Sequence, residues 1–449
     1  MVRILIFQYQ EEMINLNRRL NKAISITMIT GLIGTATILA TPDSSAVFAK
    51  SVYQVKNGKL VSAKTGKIVR GYKVYKSILY KNGKKYTGSY KNYRYKSGKK
   101  LTGSYNGYLY KNGTKLTGTY NGYLYKNGKK LTGAYNGYQY KSGKKLTGTK
   151  DGITYQDGKV VSAQNVEKVS NTAIVYVQDT HLLNRLNEIM GHKNLTQNMK
   201  VADLRNLKGT LSLDGDTDER EMFGMFDIEN IQPLAFCTNI SELSIANNAV
   251  HNLSPLVKLT NLKKLNIRFN NIQSIDSLQN LVNLTDLDVS GNTLKEIMIV
   301  SNLTKLQVLS AWDNKIQDIE GVKSLTNLEK LKLNDNKIRD ILEIASLTNL
   351  KEVDLSNNII KDIQPLSESK KLETLYLSYN SIFSVDALET LTNLKTLYVN
   401  ANYLTSMDSL AALTNLSTLH IEENEIPTSS ILPTETWPSM QDYVNDLNN

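Results

Sequence analysis

Catalysis and metal binding require reactive side chains at particular spacings, and few residues of this chain meet that requirement. The sequence of 449 residues contains four histidines, none of them at a metal-ligand spacing from another: His181, His192, His251 and His420. No Ser, Cys or carboxylate constellation indicates a nucleophile or an acid–base pair. We therefore predict a protein without enzyme activity, cofactor or bound metal.

One acidic run is the strongest candidate for an ion site. The segment "DGDTDERE" from Asp214 has the alternating acids of a calcium loop. However, Glu219 stands where such a loop needs glycine for its sharp turn, and Met225 stands where it needs a closing carboxylate. A solvated loop is the preferred interpretation of this segment, and calcium binding is the alternative.

The single cysteine, Cys237, excludes an intrachain disulfide. We interpret Cys237 as a small buried hydrophobic residue. The fold must then be stabilised by its core, which the stacking of repeats can supply.

The net charge of +12 hides two parts of opposite charge. Residues 50–160 contain 26 Lys and Arg but two acids, Asp151 and Asp157, whereas residues 161–449 have a net charge of −13. A basic and an acidic part in one chain predict two different partners.

Tyrosine and lysine recur every fifteen residues in the basic part. Five units align without gaps from Tyr80, Tyr95, Tyr110, Tyr125 and Tyr140, and the third is "YKNGTKLTGTYNGYL". Each has up to two Asn-Gly or Ser-Gly pairs, and Asn-Gly tolerates the positive φ that a tight hairpin turn requires. The pattern predicts an array of short β-hairpins over residues 50–165, stabilised by the stacking of one hairpin on the next.

Accessible tyrosines suit sugar rings, and lysines suit an anionic polymer. The array loosely resembles the aromatic-glycine repeats of bacterial cell-wall-binding and glucan-binding modules, although it lacks their tryptophan and has a shorter period. That resemblance implies attachment to a cell-wall polymer or glycan, while a passive stalk and another ligand are the alternatives; no nucleic acid is expected. The candidate wall-binding residues are Tyr95, Tyr110, Tyr125, Tyr140, Lys99, Lys100, Lys129, Lys130, Lys144 and Lys145.

A second repeat occupies the acidic part. The pattern "LxLxxN" recurs every 22 residues without insertion, with its asparagines at Asn248, Asn270, Asn292, Asn314, Asn336, Asn358, Asn380, Asn402 and Asn424. This pattern predicts a leucine-rich-repeat solenoid over residues 210–426, with a tail at 427–449. The asparagines are expected to turn inward and satisfy backbone groups. A degenerate first unit places Asp216 at the asparagine position.

The segment 166–209 is predicted to be a linker and helical cap. Within "DTHLLNRLNEIMG", apolar residues share one helical face, with Asp179 or Thr180 as N-cap and Gly191 as the end. The apolar residues are Leu182, Leu183, Leu186, Ile189 and Met190.

The helical cap, "VADL" and the ungapped 22-residue unit resemble the internalin family of bacterial surface proteins over about residues 178–424. The resemblance implies recognition of a protein, often a host receptor, on the concave face of the solenoid. The sequence departs from the family in two respects, because no immunoglobulin-like domain follows the repeats and "LPTET" at Leu432 is not an LPxTG sorting signal. Non-covalent attachment through the basic array is therefore expected.

Residues six, four and two positions before each asparagine are predicted to face the concave side. Tyr376, Tyr379 and Tyr398 should form an aromatic patch that His420 extends, with Trp312 three coils away. Exposed aromatic clusters are common interface anchors, and stacking that only stabilises the sheet is the alternative. The predicted partner-binding residues are Phe269, Trp312, Tyr376, Tyr379, Tyr398, His420, Asp288 and Asp354.

The first 49 residues have the composition of an export signal. Basic "NRRLNK" from Asn17 precedes an uncharged run, and Val47 and Ala49 have the small side chains of a cleavage site. We predict cleavage after Ala49, with an uncleaved anchor as the alternative and Met13 as an alternative start.

These features together predict a secreted, wall-associated bacterial protein, from a Gram-positive organism, that binds a protein partner. A structural protein of the bacterial surface without a host ligand is the competing hypothesis.

Overall fold

The computed structural model describes residues 52–215 and 228–427, which belong to two compact units divided between Leu101 and Thr102. Each unit contains antiparallel hairpins, and the second also contains the leucine-rich part of the chain. The predicted fold class, hairpin repeats and a capped leucine-rich-repeat solenoid, is confirmed. The predicted signal peptide, the acidic run from Asp216 onward, and the tail from Thr428 lie outside the described residues.

Small antiparallel sheets make up the described part of the first unit. Its strands are β1 (Tyr53–Lys56), β2 (Lys59–Ser62), β3 (Tyr72–Tyr75), β4 (Ile78–Lys81), β5 (Lys84–Lys85), β6 (Gly88–Tyr90), β7 (Tyr93–Lys96) and β8 (Lys99–Lys100). Strands β1 and β2 pair with each other, while β3–β5 and β6–β8 form three-stranded sheets.

The second unit begins with four more three-stranded antiparallel sheets, β9–β11, β12–β14, β15–β17 and β18–β20. Their strands are β9 (Gly103–Tyr105), β10 (Tyr108–Lys111), β11 (Thr114–Lys115), β12 (Gly118–Tyr120), β13 (Tyr123–Lys126), β14 (Lys129–Lys130), β15 (Gly133–Tyr135), β16 (Tyr138–Lys141), β17 (Lys144–Lys145), β18 (Gly148–Lys150), β19 (Ile153–Gln156) and β20 (Lys159–Ala163).

Asn-Gly pairs form the hairpin turns, as their dipeptide predicts. Between β9 and β10, Asn106 and Gly107 have φ of 46° and 73°, and both angles lie in the left-handed region. The next turn has an additional contact, because the Asn112 amide donates to the Thr102 hydroxyl at 3.0 Å. The same contact from a threonine ten residues earlier recurs at Asn127, Ser142 and Asp157.

Backbone hydrogen bonds join successive hairpin units. The Leu109 amide donates to the Gly128 carbonyl at 2.7 Å, and the Gly128 amide donates to the Leu116 carbonyl at 2.7 Å. A Cβ atom on Gly128 would lie 2.9 Å from the Leu109 carbonyl oxygen. The same donor and acceptor arrangement joins Leu124 to Gly143 one unit later. Close approach of two backbones therefore requires glycine at these turns.

Two short helices, α1 (Thr180–Ile189) and α2 (Val201–Arg205), form the cap. Asp179 is the N-cap of α1, where its Oδ1 accepts hydrogen bonds from the His181 and Leu182 amides at 3.0 Å each. The other carboxylate oxygen of Asp179 accepts from two amides that precede the first complete coil, those of residues 229 and 230. This one carboxylate therefore ties the cap helix to the solenoid.

The apolar residues of α1 are buried to different degrees. Leu182 and Leu186 are fully buried, and Leu183 and Met190 are partly buried against the core. Ile189 lies on the same helical face, but its side chain is 44% exposed because it occupies the last position of the helix. Helix α1 ends there, with φ of 71° at Gly191.

Ten parallel strands form one continuous sheet along the solenoid. They are β21 (Gly209–Ser212), β22 (Ile240–Ser244), β23 (Lys264–Asn266), β24 (Asp286–Asp288), β25 (Val308–Ser310), β26 (Lys330–Lys332), β27 (Glu352–Asp354), β28 (Thr374–Tyr376), β29 (Thr396–Tyr398) and β30 (Thr418–His420). The central residue of each strand from β23 onward is Leu or Val and is buried, and it pairs in register with the same position of the preceding coil, beginning with Leu265 and Leu243.

The asparagines turn inward and satisfy backbone groups, as predicted. The Asn358 amide group donates to the carbonyls of Leu333, Leu355 and Ser356 at 3.0–3.1 Å, and its Oδ1 accepts from the Ile338 amide at 2.9 Å. The same contacts recur in the other coils, and we call this row of nine side chains the asparagine ladder. It replaces strand hydrogen bonds at the point where the chain leaves the sheet.

Short 3₁₀ helices return the chain on the side away from the sheet, and the core of Leu, Ile and Val fills the space between. They are Gln232–Phe236, Ser254–Leu256, Asp276–Leu278, Met298–Asn302, Glu320–Ser324, Leu342–Ser346, Gln364–Glu368, Asp386–Leu388 and Asp408–Ala412; an earlier one spans Val166–Lys168.

The last hairpin sheet shares its core with the cap. Val160 of β20 is 1% exposed and pairs with Val175, which is equally buried. The Ile174 amide donates to the Gly137 carbonyl at 2.9 Å. The sheet β15–β17, which contains the turn at Gly137, therefore also contacts the segment that precedes the cap. Arg205 of α2 donates to the carbonyls of Val166 and Val169 between the two parts. Residues 166–171 are therefore held in place by the cap.

Candidate functional site

The concave face carries three rows of side chains, at the positions predicted six, four and two residues before each asparagine. At the C-terminal coils the first row is Thr374, Thr396 and Thr418, and all three are partly buried. Between these rows, the residues five and three positions before the asparagine are buried in the core. The alternation of a β-strand therefore places these rows on the surface of the sheet.

Tyr376, Tyr398 and His420 form a continuous row of rings in contact, which we call the ring ladder. The Tyr376 and Tyr398 ring centroids are 5.0 Å apart with an interplanar angle of 35°. The Tyr398 and His420 centroids are 4.1 Å apart with an interplanar angle of 13°. These contacts follow directly from the in-register pairing of β28, β29 and β30. The Tyr398 and His420 rings therefore contact each other face to face, and Tyr376 continues the row at an angle.

Hydrogen-bonding groups border the ring ladder. The Ser378 hydroxyl donates to Asn400 Oδ1 at 2.5 Å, and His420 Nδ1 lies 3.3 Å from Glu422 Oε1. Hydroxyl, amide and carboxylate groups thus lie beside the rings. Such a mixed surface suits a partner that contributes both apolar contact and hydrogen bonds.

Charged groups lie at the other end of the ring ladder. Lys332 and Lys330 contact Glu352 at 2.9 and 3.0 Å. Burial alone raises the pKa of Glu352, but hydrogen bonds from these lysines outweigh burial and lower that pKa below its ordinary value. Burial raises the pKa of Asp354, and burial together with Tyr398 raises the pKa of Tyr376. Asp354 is therefore a partly desolvated carboxylate beside the rings.

A second aromatic group lies near the N-terminal end of the concave face. The Phe269 and Trp312 ring centroids are 5.3 Å apart in an edge-to-face contact, and the Arg268 guanidinium lies 5.9 Å from the Phe269 ring. Gly291 in the intervening coil leaves room for Phe269, since a Cβ atom there would lie 2.3 Å from its ring. Arg268 lies in the concave row two residues before the asparagines, as its position predicts, but it was not among the predicted partner-binding residues.

A shallow hollow of about 330 Å³ lies on the same part of the concave face. Its polar lining includes the predicted Asp288, together with Asp286 and Glu242. Lys264 also lines it, and its Nζ lies 3.9 Å from a Glu242 carboxylate oxygen. The balance of charge in this hollow is therefore acidic.

Tyr379 does not join the ring ladder in the part of the chain that the structure describes. It occupies the position just before Asn380, has φ of 58° and is 58% exposed. Phe269 occupies the equivalent position of an earlier coil with φ of 50°. A bulky residue in the left-handed region costs about 1–2 kcal/mol, so both aromatic side chains are kept exposed at some cost in stability.

Sequence patterns did not reveal a further exposed pair, Phe383 and Tyr403. Their rings stack with centroids 5.5 Å apart, and their side chains are 56% and 45% exposed. Both lie in the segments that follow the asparagines, outside the three concave rows. The sequence signal that could have identified this pair is an aromatic residue in each coil at a position outside the repeat consensus.

In the basic hairpins, the structure places lysines over a different set of tyrosines from the predicted one. The predicted Tyr95, Tyr110, Tyr125 and Tyr140 are partly buried, and burial raises the pKa of Tyr140. Lysine ammonium groups instead lie 3.4–3.8 Å from the ring centroids of other tyrosines, each two positions before a predicted tyrosine or its equivalent in the chain. These pairs are Lys100 with Tyr93, Lys115 with Tyr108, Lys130 with Tyr123, and Lys145 with Tyr138.

The other predicted lysines differ in their contacts. Lys129 and Lys144 lie 5.0 and 5.2 Å from the Tyr108 and Tyr123 centroids of the preceding units, whereas Lys99 is exposed on β8. The fifteen-residue pattern does not indicate which tyrosine ring a lysine contacts, so Tyr108 and its equivalents were not predicted.

Within residues 52–215 and 228–427, no group of three or more His, Cys, Asp or Glu is arranged to hold a metal ion. Asp214 is described, and its Oδ1 accepts a hydrogen bond from the Ala246 amide at 2.7 Å. Cys237 is fully buried, and burial raises the pKa of its thiol to about 12. The same described residues contain no helix with the length and apolar character that crossing a membrane requires.

Comparison with known proteins identifies the repeats. A family model described as "Leucine Rich repeats (2 copies)" matches residues 260–303, 304–346, 326–368, 348–391 and 370–412. The predicted leucine-rich repeats are therefore confirmed, and folds of this kind are typically non-enzymatic. No curated protein matches the chain.

Solved structures similar to the chain include internalins of Listeria monocytogenes. One internalin (inlF) is 25% identical, with a TM-score of 0.43, over 58% of this chain and 86% of its own. Internalin C2 is 28% identical, with a TM-score of 0.43, over 54% of this chain and 93% of its own. A leucine-rich-repeat protein of Leptospira interrogans is 20% identical, with a TM-score of 0.34, over 46% of this chain and 73% of its own.

Proposed function

We propose that this chain is a secreted bacterial surface protein that binds a protein partner on the concave face of its leucine-rich repeats. The ring ladder, bordered by Asp354 and Glu422, carries this proposal. Clustered aromatic side chains with neighbouring hydrogen-bonding groups are typical of the energetically dominant part of an interface. The predicted patch therefore consists of Tyr376, Tyr398 and His420, with Tyr379 at its border, and Phe269 and Trp312 form a second contact region.

We further propose that the basic hairpins hold the protein non-covalently on an anionic cell-wall polymer. Residues 102–150 contain nine lysines and no acid, so their charge is not neutralised within that segment. An unbalanced charge of this density favours an anionic partner, with an affinity that falls as salt increases. The two activities would lie in separate parts of one chain, each with its own sign of charge.

Two double variants of the full mature chain test the concave-face proposal. Y376A/Y398A should reduce capture of surface proteins from host or bacterial cells by more than tenfold, because it removes two adjacent anchors. F383A/Y403A is the matched control, since it removes a stacked aromatic pair outside the concave rows. Both should still sediment with purified Gram-positive cell walls at low salt. If the two variants capture every partner equally well, the concave-face proposal fails.

A structural role at the bacterial surface is the second candidate. The stacking within the ring ladder favours it, because cross-strand aromatic contacts stabilise a sheet even without a partner. Under this hypothesis, Y376A/Y398A should lower the melting temperature and leave capture unchanged. Thermal unfolding of the same two variants therefore separates the candidates.

A further inference from the structure

The lysines of the second unit's hairpins are held in fixed positions by tyrosine rings. Lys115 lies 3.7 Å and Lys129 lies 5.0 Å from the Tyr108 ring centroid. Tyr123 has the same arrangement, with Lys130 at 3.5 Å and Lys144 at 5.2 Å. The attraction between an ammonium group and the face of an aromatic ring extends to about 6 Å. Two ammonium groups are thus gathered at each ring.

The rings that gather these lysines are unsuited to stacking on a ligand. Neutral sugars and nucleic-acid bases both bind aromatic side chains through the open face of the ring. Here lysine ammonium groups lie over the faces of Tyr108, Tyr123 and Tyr138. The ammonium groups, which are exposed, are the groups available to a ligand.

A ligand that binds at these rings must therefore supply negative charge and gains nothing from a flat ring of its own. A lysine ammonium is a compact point charge with three donors, and it is a common binder of phosphate oxygens. Pairs of such groups recur every fifteen residues, at Tyr108 and again at Tyr123, so a polymer with repeated charge could contact several pairs together.

We propose that the basic hairpins bind a linear phosphodiester polymer that lacks flat rings, through the lysines gathered at the tyrosine rings. This inference rests on the proposed attachment to a cell-wall polymer and specifies its chemical class. It also assigns different roles to lysines of one unit, because Lys115 and Lys130 lie over rings while Lys111 and Lys126 are exposed strand residues.

The test measures binding of the full mature chain to purified poly(glycerol phosphate) by titration calorimetry across a salt series. K115Q/K130Q should weaken binding about tenfold, and K111Q/K126Q about threefold, although both variants lose two charges from the same two units. Y108F/Y123F keeps both ring faces and should bind as the unmodified chain does. Circular dichroism checks that each variant is folded.

Three other probes make the assignment falsifiable. Dextran offers neutral sugar rings, oligo(dT) offers phosphodiesters with bases, and polygalacturonate offers carboxylates. Tighter binding of any of them than of poly(glycerol phosphate) would overturn the proposed ligand class. Equal losses in K115Q/K130Q and K111Q/K126Q would overturn the role of the rings. If the chain sediments with whole walls but ignores poly(glycerol phosphate), this inference fails while the proposed attachment stands; if it does not sediment, the attachment itself fails.

Discussion

Individual asparagines stabilise the solenoid through several hydrogen bonds at once. Asn358 is 7% exposed, and its side chain satisfies three carbonyls and one amide from two successive coils. A second asparagine row lies further along each coil, where Asn349 makes one bond of this kind, donating to the Thr326 carbonyl at 2.8 Å. Both rows consist of asparagine, but a side chain of the first row forms hydrogen bonds with four backbone groups and Asn349 with one.

We predict that N358A lowers the free energy of unfolding by about 3 kcal/mol or more, because buried backbone groups lose their partners at roughly 1–3 kcal/mol each. N349A is the matched control and should lower it by about 1 kcal/mol. Guanidinium unfolding of both variants measures the difference. Similar losses in the two variants would show that the buried row is no more important than the exposed one.

Asp354 gives the concave face a defined pH dependence. Burial raises its pKa, so the folded state binds its proton more tightly than the unfolded chain does. The free energy of unfolding therefore decreases as the pH rises from the ordinary pKa through the raised one. We predict that D354N increases the melting temperature at pH 7 and has a smaller effect near pH 3.5.

Asp386 provides a control of opposite sign. Hydrogen bonds from Ser409 and Ser384 lower its pKa, so its charged form favours folding above the ordinary pKa and loses that benefit as the pH falls through the lowered one. D386N should decrease the melting temperature at pH 7. If D354N and D386N changed the melting temperature at pH 7 in the same direction, the opposite pKa shifts assigned to Asp354 and Asp386 would be wrong.

At the residue scale, the inward asparagines and the concave rows were predictable because a 22-residue period repeats them without interruption. The left-handed backbone before each asparagine was not predictable, because Phe269 and Tyr379 occupy a conformation that their side chains disfavour. In other coils, Asn247 and Asn357 occupy this position and suit it. The sequence alone therefore does not show that an aromatic residue at this position has a left-handed backbone.

At the scale of elements, glycine has two distinct roles in the hairpins. Gly122 has φ of 73°, and a Cβ atom there would have no neighbour within 4 Å. Gly128 has a similar φ of 80°, but a Cβ atom would approach the Leu109 carbonyl oxygen. Asn-Gly predicts both turns, whereas the stacking contact exists only between units and cannot be inferred from the dipeptide.

We predict that G122A costs about 1 kcal/mol through backbone strain alone, while G128A costs at least twice as much because two units must separate. Thermal unfolding followed at far-ultraviolet wavelengths compares the two variants. Equal effects would mean that the positive φ is the whole requirement and that the contact between units adds little stability.

At the scale of the molecule, the second unit joins its hairpins to the solenoid by a shared core, not by a free linker. Val160 and Val166 are both buried in the same cluster as cap residues Leu182 and Val201. The composition change near residue 165 predicted a domain boundary there, because charge and period both change at that point. Composition does not indicate burial, so the contact between the last hairpin and the cap was not foreseen.

This shared core predicts how the solenoid responds when hairpins are removed. A chain that begins at Val169 lacks two buried valines, each worth about 1.5–3 kcal/mol, and should melt roughly 5–15 °C below a chain that begins at Thr102. A chain that begins at Thr132 keeps Gly137 and Val160 and should melt close to the longer one. Calorimetry of the three chains measures these differences. If all three melted together, the hairpins would be an appendage, and the cap alone would close the solenoid.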